Sequence, residues 1–264
     1  MRRSPAPTLP RPPKASGPPP WLVMGIGACL APSLGLLPLL QYVGWFLASL
    51  VHETGHCVAA WIFGLPAYPA IRLDGHAAAM HSEQKLVLVA FVWALLGWVT
   101  WKLRRHERGR LVAAGAVILY PLLAFSQGHE LIHLLAGHGG ELAFAGIFFF
   151  RALSGGFTES TAERITYAAC AWFLLGRNVV LDFGLMSSEV ARTAYAGNGS
   201  FGLTQDFIRA ARMLGWPLGG VGALMLLLSL LTLPLAWWVW RCVECNPAWR
   251  AIPRERRTID RRAA

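Results

Sequence analysis

Two short segments of the chain combine histidine and glutamate at a spacing that suits metal-dependent hydrolysis. The first contains His52, Glu53 and His56, and the second contains His129, Glu130 and His133. Residues four positions apart lie on one side of a helix, so both histidines of a motif can bind one Zn²⁺. The glutamate beside the first histidine can act as general base on a water molecule. This composition gives roughly 0.01 such motifs per chain by chance, so two matches indicate chemistry.

The sequence around both motifs is strongly apolar, which favours a functional interpretation. Paired His and Glu residues on a helix are often ordinary surface residues, but ionisable groups at membrane depth are costly and usually mark a site. The second motif lies near a predicted helix start, where water has access, so the metal prediction is firmer for the first motif. His138 follows the second motif, but its spacing fits none of the extended metalloprotease motifs.

The first motif and its flanks, residues 50–64, resemble the site-2 protease family of intramembrane zinc metallopeptidases. The shared features are His-Glu-x-Gly-His, small residues one turn later, and an aromatic residue with glycine at the helix end. The family takes its third zinc ligand from a Leu-Asp-Gly motif, and Leu181-Asp182 is the nearest counterpart here, with Phe183 before the glycine. The resemblance implies Zn²⁺ on His52, His56 and Asp182, Glu53 as base, and a membrane-protein or peptide substrate.

Two other functions remain open on the same residues. Helical di-iron proteins use one Glu-x-x-His from each of two helices together with further carboxylates. Each motif contains Glu-x-x-His, so a membrane oxidoreductase is one alternative; the residues that could complete its site are Glu141, Glu163 and Asp182. A metal or proton pathway without catalysis is the other.

Several further polar residues have a simpler structural interpretation. Asp206 is expected in the first turn of a short helix, where the helix dipole favours an acid. His76 and His81 lie in a loop and are expected to be solvated. The Cys242 and Cys245 pair has no nearby His or Cys to complete a metal site, and the five cysteines form no disulfide framework.

The elements that position these residues are predicted to be transmembrane helices. Of 264 residues, 55% are hydrophobic and 14% are charged, against about 25% charged in soluble domains. The segments 21–51, 86–101, 111–128 and 213–240 contain no charged residue. Runs of about 20 apolar residues span a bilayer, and their backbone must be helical there.

The sequence therefore predicts an all-α polytopic membrane protein with about six to seven transmembrane helices. Residues 21–64 are long enough for two of them, and a short loop or hairpin over 65–85 follows, with 70–73 as a possible strand. Further helices are expected at about 86–103, 111–128, 129–151, 163–186 and 214–240. Gly137, Gly139 and Gly140 are expected to interrupt the helix over 129–151, and an amphipathic helix is expected over 205–214.

Positive charge is concentrated beside these apolar segments. The net charge is +10, with basic clusters at 102–110 and 241–262. Basic clusters beside transmembrane helices stay on the cytoplasmic side of the membrane, where they set the orientation of the helices and attract anionic lipids. Nucleic acid is therefore not an expected partner. We expect a Pro-rich basic tail over 1–20, a transmembrane domain over 21–240 and a basic tail over 241–264. We expect a multi-pass protein located in a cell membrane of bacterial inner-membrane type, with the C-terminal tail inside.

Overall fold

The computed structural model of the protein describes residues 17–72, 77–155, 158, 160–197 and 205–245. Within these ranges the chain is mostly helical. In chain order the elements are α1 (Pro20–Leu30), α2 (Ser33–Leu36), α3 (Pro38–Ile62), β1 (Ala67–Ile71), β2 (Ala77–His81), α4 (Leu86–Lys102), a 3₁₀ turn (Leu103–Arg105), α5 (Glu107–Ala124), α6 (Gly128–Ser154), α7 (Thr161–Ser187), α8 (Glu189–Gly197), α9 (Asp206–Leu214) and α10 (Leu218–Cys245). His76 and most of both predicted tails lie outside the described residues.

The described helices are long and apolar enough for four membrane spans, or five if the bent pair α1–α2 and α3 is one span. The predicted six to seven spans are not confirmed. The two segments of the bent pair meet at 99°. The break falls at Leu37, whose backbone is extended at φ −87° and ψ 125°. Leu37 precedes Pro38, and a residue before proline avoids the helical region, so the sequence itself places the bend.

The predicted hairpin is confirmed directly after α3. Strands β1 and β2 pair antiparallel, with Tyr68 opposite Met80. Gly64, at φ +78°, turns the chain out of α3, and a side chain there would also meet Val89. Both strands pack beside α3, so the hairpin lies next to the first motif.

Helix α6 is continuous from Gly128 to Ser154, although its glycines were expected to interrupt it. Two of them face α3 instead. A Cβ atom on Gly140 would lie 2.8 Å from the Cα of Gly55, and one on Gly55 would lie 2.1 Å from the carbonyl oxygen of Ala136. The missing side chains let the two backbones approach closely, as small residues do between membrane helices. This contact places His133 of the second motif beside His56 of the first.

The bundle core is built from α1, α3, α6, α7 and α10, with alanines and aromatic rings interleaved. Its fully buried residues include Phe149, Leu174, Leu185 and Met225. Many large apolar residues remain on the outside of α4, α5 and α10. Helices that are apolar toward both core and exterior fit a lipid environment.

The polar stretch after α7 contains two short helices. Helix α9 confirms the predicted amphipathic helix; it buries Phe207, Ala210 and Ala211 and packs against α6 and α10. It ends at Gly215, at φ +64°. Helix α8 was not predicted from the sequence. Together α8 and α9 place residues 195 and 205–206 beside the bundle.

Candidate metal centre

The two histidines of the first motif converge as their helical spacing predicts. Both belong to α3, and their Nε2 atoms lie 3.1 Å apart. His56 is buried, with 5% of its surface exposed, and His52 is half-buried. Both imidazoles therefore present the same nitrogen to one point beside α3.

The opposite nitrogens of the two rings are held by α6. His56 Nδ1 donates to the backbone carbonyl of His133 at 2.7 Å. His52 Nδ1 donates to Oε1 of Glu141 at 2.8 Å. A carbonyl or carboxylate oxygen can only accept, so Nδ1 carries the hydrogen in each ring, and Nε2 of each ring is left to hold a proton or bind a metal ion. A partner that fixes the tautomer of a metal-binding histidine is the usual arrangement around metal ions.

A third ligand atom comes from Asp206 at the start of α9. Its Oδ2 lies 3.1 Å from His56 Nε2 and 3.6 Å from His52 Nε2. Burial acts to raise the pKa of the Asp206 carboxyl, but hydrogen bonds from the His52 and His56 rings, when these carry a proton at Nε2, outweigh it and hold that pKa below its usual range. The carboxylate form is thus stabilised where the two rings meet.

The space between these atoms fits a metal ion. Around a tetrahedral ion with bonds of about 2.0–2.1 Å, ligand atoms lie about 3.3 Å apart. The three separations, 3.1, 3.1 and 3.6 Å, bracket this value. The backbone of Gly137 closes one side, and a Cβ atom there would lie only 2.4 Å from the Nε2 atoms of both histidines. Glycine therefore leaves free the position that a cation needs.

Glu53 lies next to this cluster without joining it. The described residues contain two groups that could hold a metal ion: His52, His56 and Asp206, and His52, His138 and Glu141. Glu53 belongs to neither group and is 8% exposed. The backbone N–H of Ala79 in β2 donates to its carboxylate. Its position beside the histidines, but outside the ligand set, suits a general base.

A buried polar network supports His52 from behind. Glu141 accepts from His52 through Oε1, and its Oε2 accepts from Nδ2 of Asn178 at 2.8 Å. The amide oxygen of Asn178 lies 3.0 Å from Nδ1 of His138. Glu141 and Asn178 are 2% and 1% exposed, so each polar atom needs the partner that it has. The network links α3, α6 and α7 at the level of the metal centre.

The second motif occupies a different position from the first. His129 bonds to the carbonyl of Ser126 at 2.6 Å, and Glu130 forms an ion pair with Arg209 of α9 at 2.8 Å. The ring of His133 lies beside His56, with centroids 5.0 Å apart. None of the three belongs to a metal-ligand group among the described residues. The Glu-x-x-His pairs of the two motifs therefore share no ligand cluster in the described structure, as a di-iron centre would require.

Asp182, expected as the third ligand, is buried elsewhere. It is fully buried, and its Oδ2 accepts from the hydroxyl of Ser229 in α10 at 2.9 Å. It belongs to neither metal-ligand group of the described residues. Asp206, interpreted from sequence as an acid of a helix first turn, is indeed there, and its carboxylate also reaches the histidines.

Among the described residues, the remaining ones expected from sequence form no further metal-ligand group. His81 lies in β2 with its ring 5.2 Å from that of His133. Cys242 is a free, exposed cysteine at the end of α10. Sequence reasoning missed Asn178, the role of Gly137 and the link from Glu141 to His52. Glu141 left a signal, since an acid within an apolar helix needs a partner.

The fold and the centre define an integral membrane protein, by the length and composition of its helices, with a group of side chains that could hold a metal ion. Comparison with models of known protein families, with curated proteins and with solved structures finds no match.

Proposed function

We propose that this protein is a membrane-embedded zinc metallopeptidase of the kind that the first motif resembles. The observation that carries the proposal is the meeting of two imidazole nitrogens and one carboxylate oxygen within 3.1–3.6 Å. Groups this close need a positive charge between them, which a proton or a metal ion can supply. Two nitrogens and one oxygen, with a further position left for water, are a ligand set of catalytic zinc.

The ligands in this proposal are His52, His56 and Asp206, with Asp206 in the place that sequence resemblance gave to Asp182. When bound, such an ion supplies Lewis acidity and lowers the pKa of a water molecule toward neutrality. His133 and Glu141 keep both imidazoles in the tautomer and orientation that binding requires.

The chemistry of the chain itself centres on Glu53. Its carboxylate accepts the proton of the attacking water and later passes it to the leaving amine of the cleaved peptide. The buried, water-poor surroundings of Glu53 strengthen the electrostatic interaction of its carboxylate with nearby charges. The β1–β2 hairpin beside Glu53 offers strand edges to which an extended substrate segment can pair, because a helical substrate must unwind before its amides are accessible.

The substrate in this proposal is a membrane protein or membrane-associated peptide. The protein itself is proposed to lie in a cell membrane of bacterial inner-membrane type, with the basic clusters at 102–110 and 241–262 inside. The positive-inside bias of short loops supports that orientation.

The test is metal content and peptidase activity of the purified full chain in detergent. The wild type should hold about one zinc per chain and cleave a quenched fluorogenic peptide. Glu53→Gln should lower kcat at least about 100-fold and keep the zinc, since the residue is a base and not a ligand. His56→Ala should lose both. Glu189→Gln, an exposed glutamate paired with Arg192, is the matched control and should change neither.

Different results would identify the alternatives. A pair of irons that is lost with Glu53→Gln would indicate the oxidoreductase. Metal flux into vesicles that persists in Glu53→Gln, without peptide cleavage, would indicate a transport pathway. Either result would overturn the peptidase proposal.

A further inference from the structure

A cleft opens directly beside the proposed metal centre. Its volume is about 260 Å³, and it reaches His52, Glu53 and Asp206. Ser49 of α3 and Arg177 and Leu181 of α7 also line it. The volume suits one or two amino-acid side chains, so residues of the cleft other than the metal centre can select what binds.

Arg177 is the cation of the cleft. It lies in the middle of α7, and its guanidinium is above the ring of Phe173 at 5.9 Å from the centroid. Within the part of the chain that the structure describes, no salt bridge involves Arg177. Asp182, five residues later, accepts from Ser229 instead. Arg177 and Glu141 interact electrostatically, but the carboxylate oxygens of Glu141 bond to His52 and Asn178.

The other charged groups of the cleft have partners. Asp206 faces the two imidazoles, Glu141 is held in the buried network, and Glu53 accepts from the backbone of Ala79. A charged side chain within an apolar helix is expensive and is kept where it performs a function. The guanidinium is planar with parallel N–H donors, and these match both oxygens of a carboxylate.

We infer that Arg177 binds a carboxylate of the substrate next to the scissile bond. The carboxylate is an Asp or Glu side chain or the C-terminal group of the substrate, and both present the same two oxygens. This inference rests on the proposed function and adds to it a substrate class: peptides with a negative charge near the cleavage position. Arg177 is therefore a specificity residue, while Glu53 performs the proton transfer.

The test measures peptide binding in a Glu53→Gln background, so that hydrolysis does not interfere. Labelled peptides carry Asp or Asn at each internal position in turn, and each is made with a free or an amidated C-terminus. Fluorescence anisotropy with the purified, zinc-loaded full chain gives Kd for every peptide. A carboxylate that meets Arg177 should tighten Kd by about 10–100-fold over its neutral counterpart. The arm that shows the preference identifies an internal side chain or the C-terminus as the source.

The variants separate recognition from structure. Adding Arg177→Gln should remove the preference and leave the Kd of neutral peptides within about threefold, whereas Arg177→Lys should keep part of it. Arg241→Gln is the matched control, because Arg241 also lies over an aromatic ring, Trp240, at 5.8 Å but at the end of α10. It should retain the full preference. Zinc content of each variant reports that the centre is intact.

Four results would overturn the inference, three of them in the peptide assay. The first is that the Glu53→Gln chain with Arg177 intact binds acidic and neutral peptides equally well. The second is a preference for the carboxylate that survives Arg177→Gln. The third is that Arg177→Gln weakens the binding of acidic and neutral peptides equally. If Arg177→Gln weakened binding of the chain to vesicles of anionic phospholipid and left every peptide Kd unchanged, Arg177 would bind lipid instead. That result would overturn the inference too. Failure of the proposed function looks different: no zinc or no peptide cleavage by the wild type, whatever the Kd values.

Discussion

Substitution of Gly137 by alanine tests the metal centre most directly. The added methyl carbon would lie 2.4 Å from Nε2 of His52 and 2.4 Å from Nε2 of His56. Non-bonded carbon and nitrogen atoms need about 3.4 Å or more, so each ring would have to retreat by about 1 Å. Metal–ligand distances tolerate only about 0.2 Å, and the methyl group also occupies the position of the ion. We expect Gly137→Ala to lose zinc almost completely.

The same helix provides the control for this substitution. A Cβ atom on Gly139, two residues later, meets nothing within 4 Å. Glycine in a helix interior costs about 0.5–1 kcal/mol relative to alanine, so Gly139→Ala should stabilise the fold slightly and keep its metal. The assay is elemental analysis by mass spectrometry of both purified variants, with thermal unfolding recorded with and without added zinc.

The expected result is a zinc content near zero for Gly137→Ala and near the wild-type value for Gly139→Ala. The chain of Gly137→Ala should still fold, because α6 remains helical. If Gly137→Ala retained wild-type zinc with unchanged affinity, the ion could not lie between His52 and His56, and our placement of the centre would be refuted.

Three further predictions concern the surroundings of the centre. Glu141→Gln should weaken zinc affinity about 10–100-fold, measured by competition with a chelator, because the partner of His52 Nδ1 loses its charge. Asp206→Asn should lose zinc, whereas Asp182→Asn should keep it, and the opposite pattern in elemental analysis would restore Asp182 as the ligand. Zinc affinity should fall steadily as the pH is lowered, because protons compete with the ion for the imidazoles, and a pH-independent affinity would exclude histidine ligands.

Much of the first half of the centre could be predicted from sequence, because it depends on local geometry. Residues four apart on a helix face the same way, so the convergence of His52 and His56 needs no tertiary information. The position of Glu53 beside the pair follows from the same geometry. The charge-free apolar runs likewise predict α4 and α10, because runs of about 20 apolar residues span a bilayer.

The third ligand could not be predicted, because it depends on how distant helices pack. Asp182 and Asp206 are both acidic residues on predicted helices, and the resemblance to the site-2 protease family favoured Asp182 as the ligand. In the fold Asp182 faces α10, where its Oδ2 accepts from Ser229, while the docking of α9 carries Asp206 to the histidines. No local pattern distinguishes a helix first-turn acid from a metal ligand.

The glycines were misjudged, and the predicted number of spans is not confirmed, for related reasons. Gly137 and Gly140 looked like helix breakers, since glycine weakens isolated helices. A glycine here is needed because another helix or an ion lies against its backbone, as α3 does against Gly140. That contact is not visible in the sequence. The apolar segment over 21–64 could form two spans by length, but the extended Leu37 before Pro38 bends it into one broken pair.

The origin of the three ligands has a mechanical consequence. Two of them belong to the long helix α3, whereas Asp206 belongs to α9, an amphipathic segment outside the candidate spans. A cation held by both acts as a cross-link between the bundle and this peripheral helix, and metal binding energy becomes folding energy for the joined parts. Zinc loading should therefore protect the backbone amides of α9 from hydrogen exchange, while a chelator should leave the exchange of α7 and α10 unchanged.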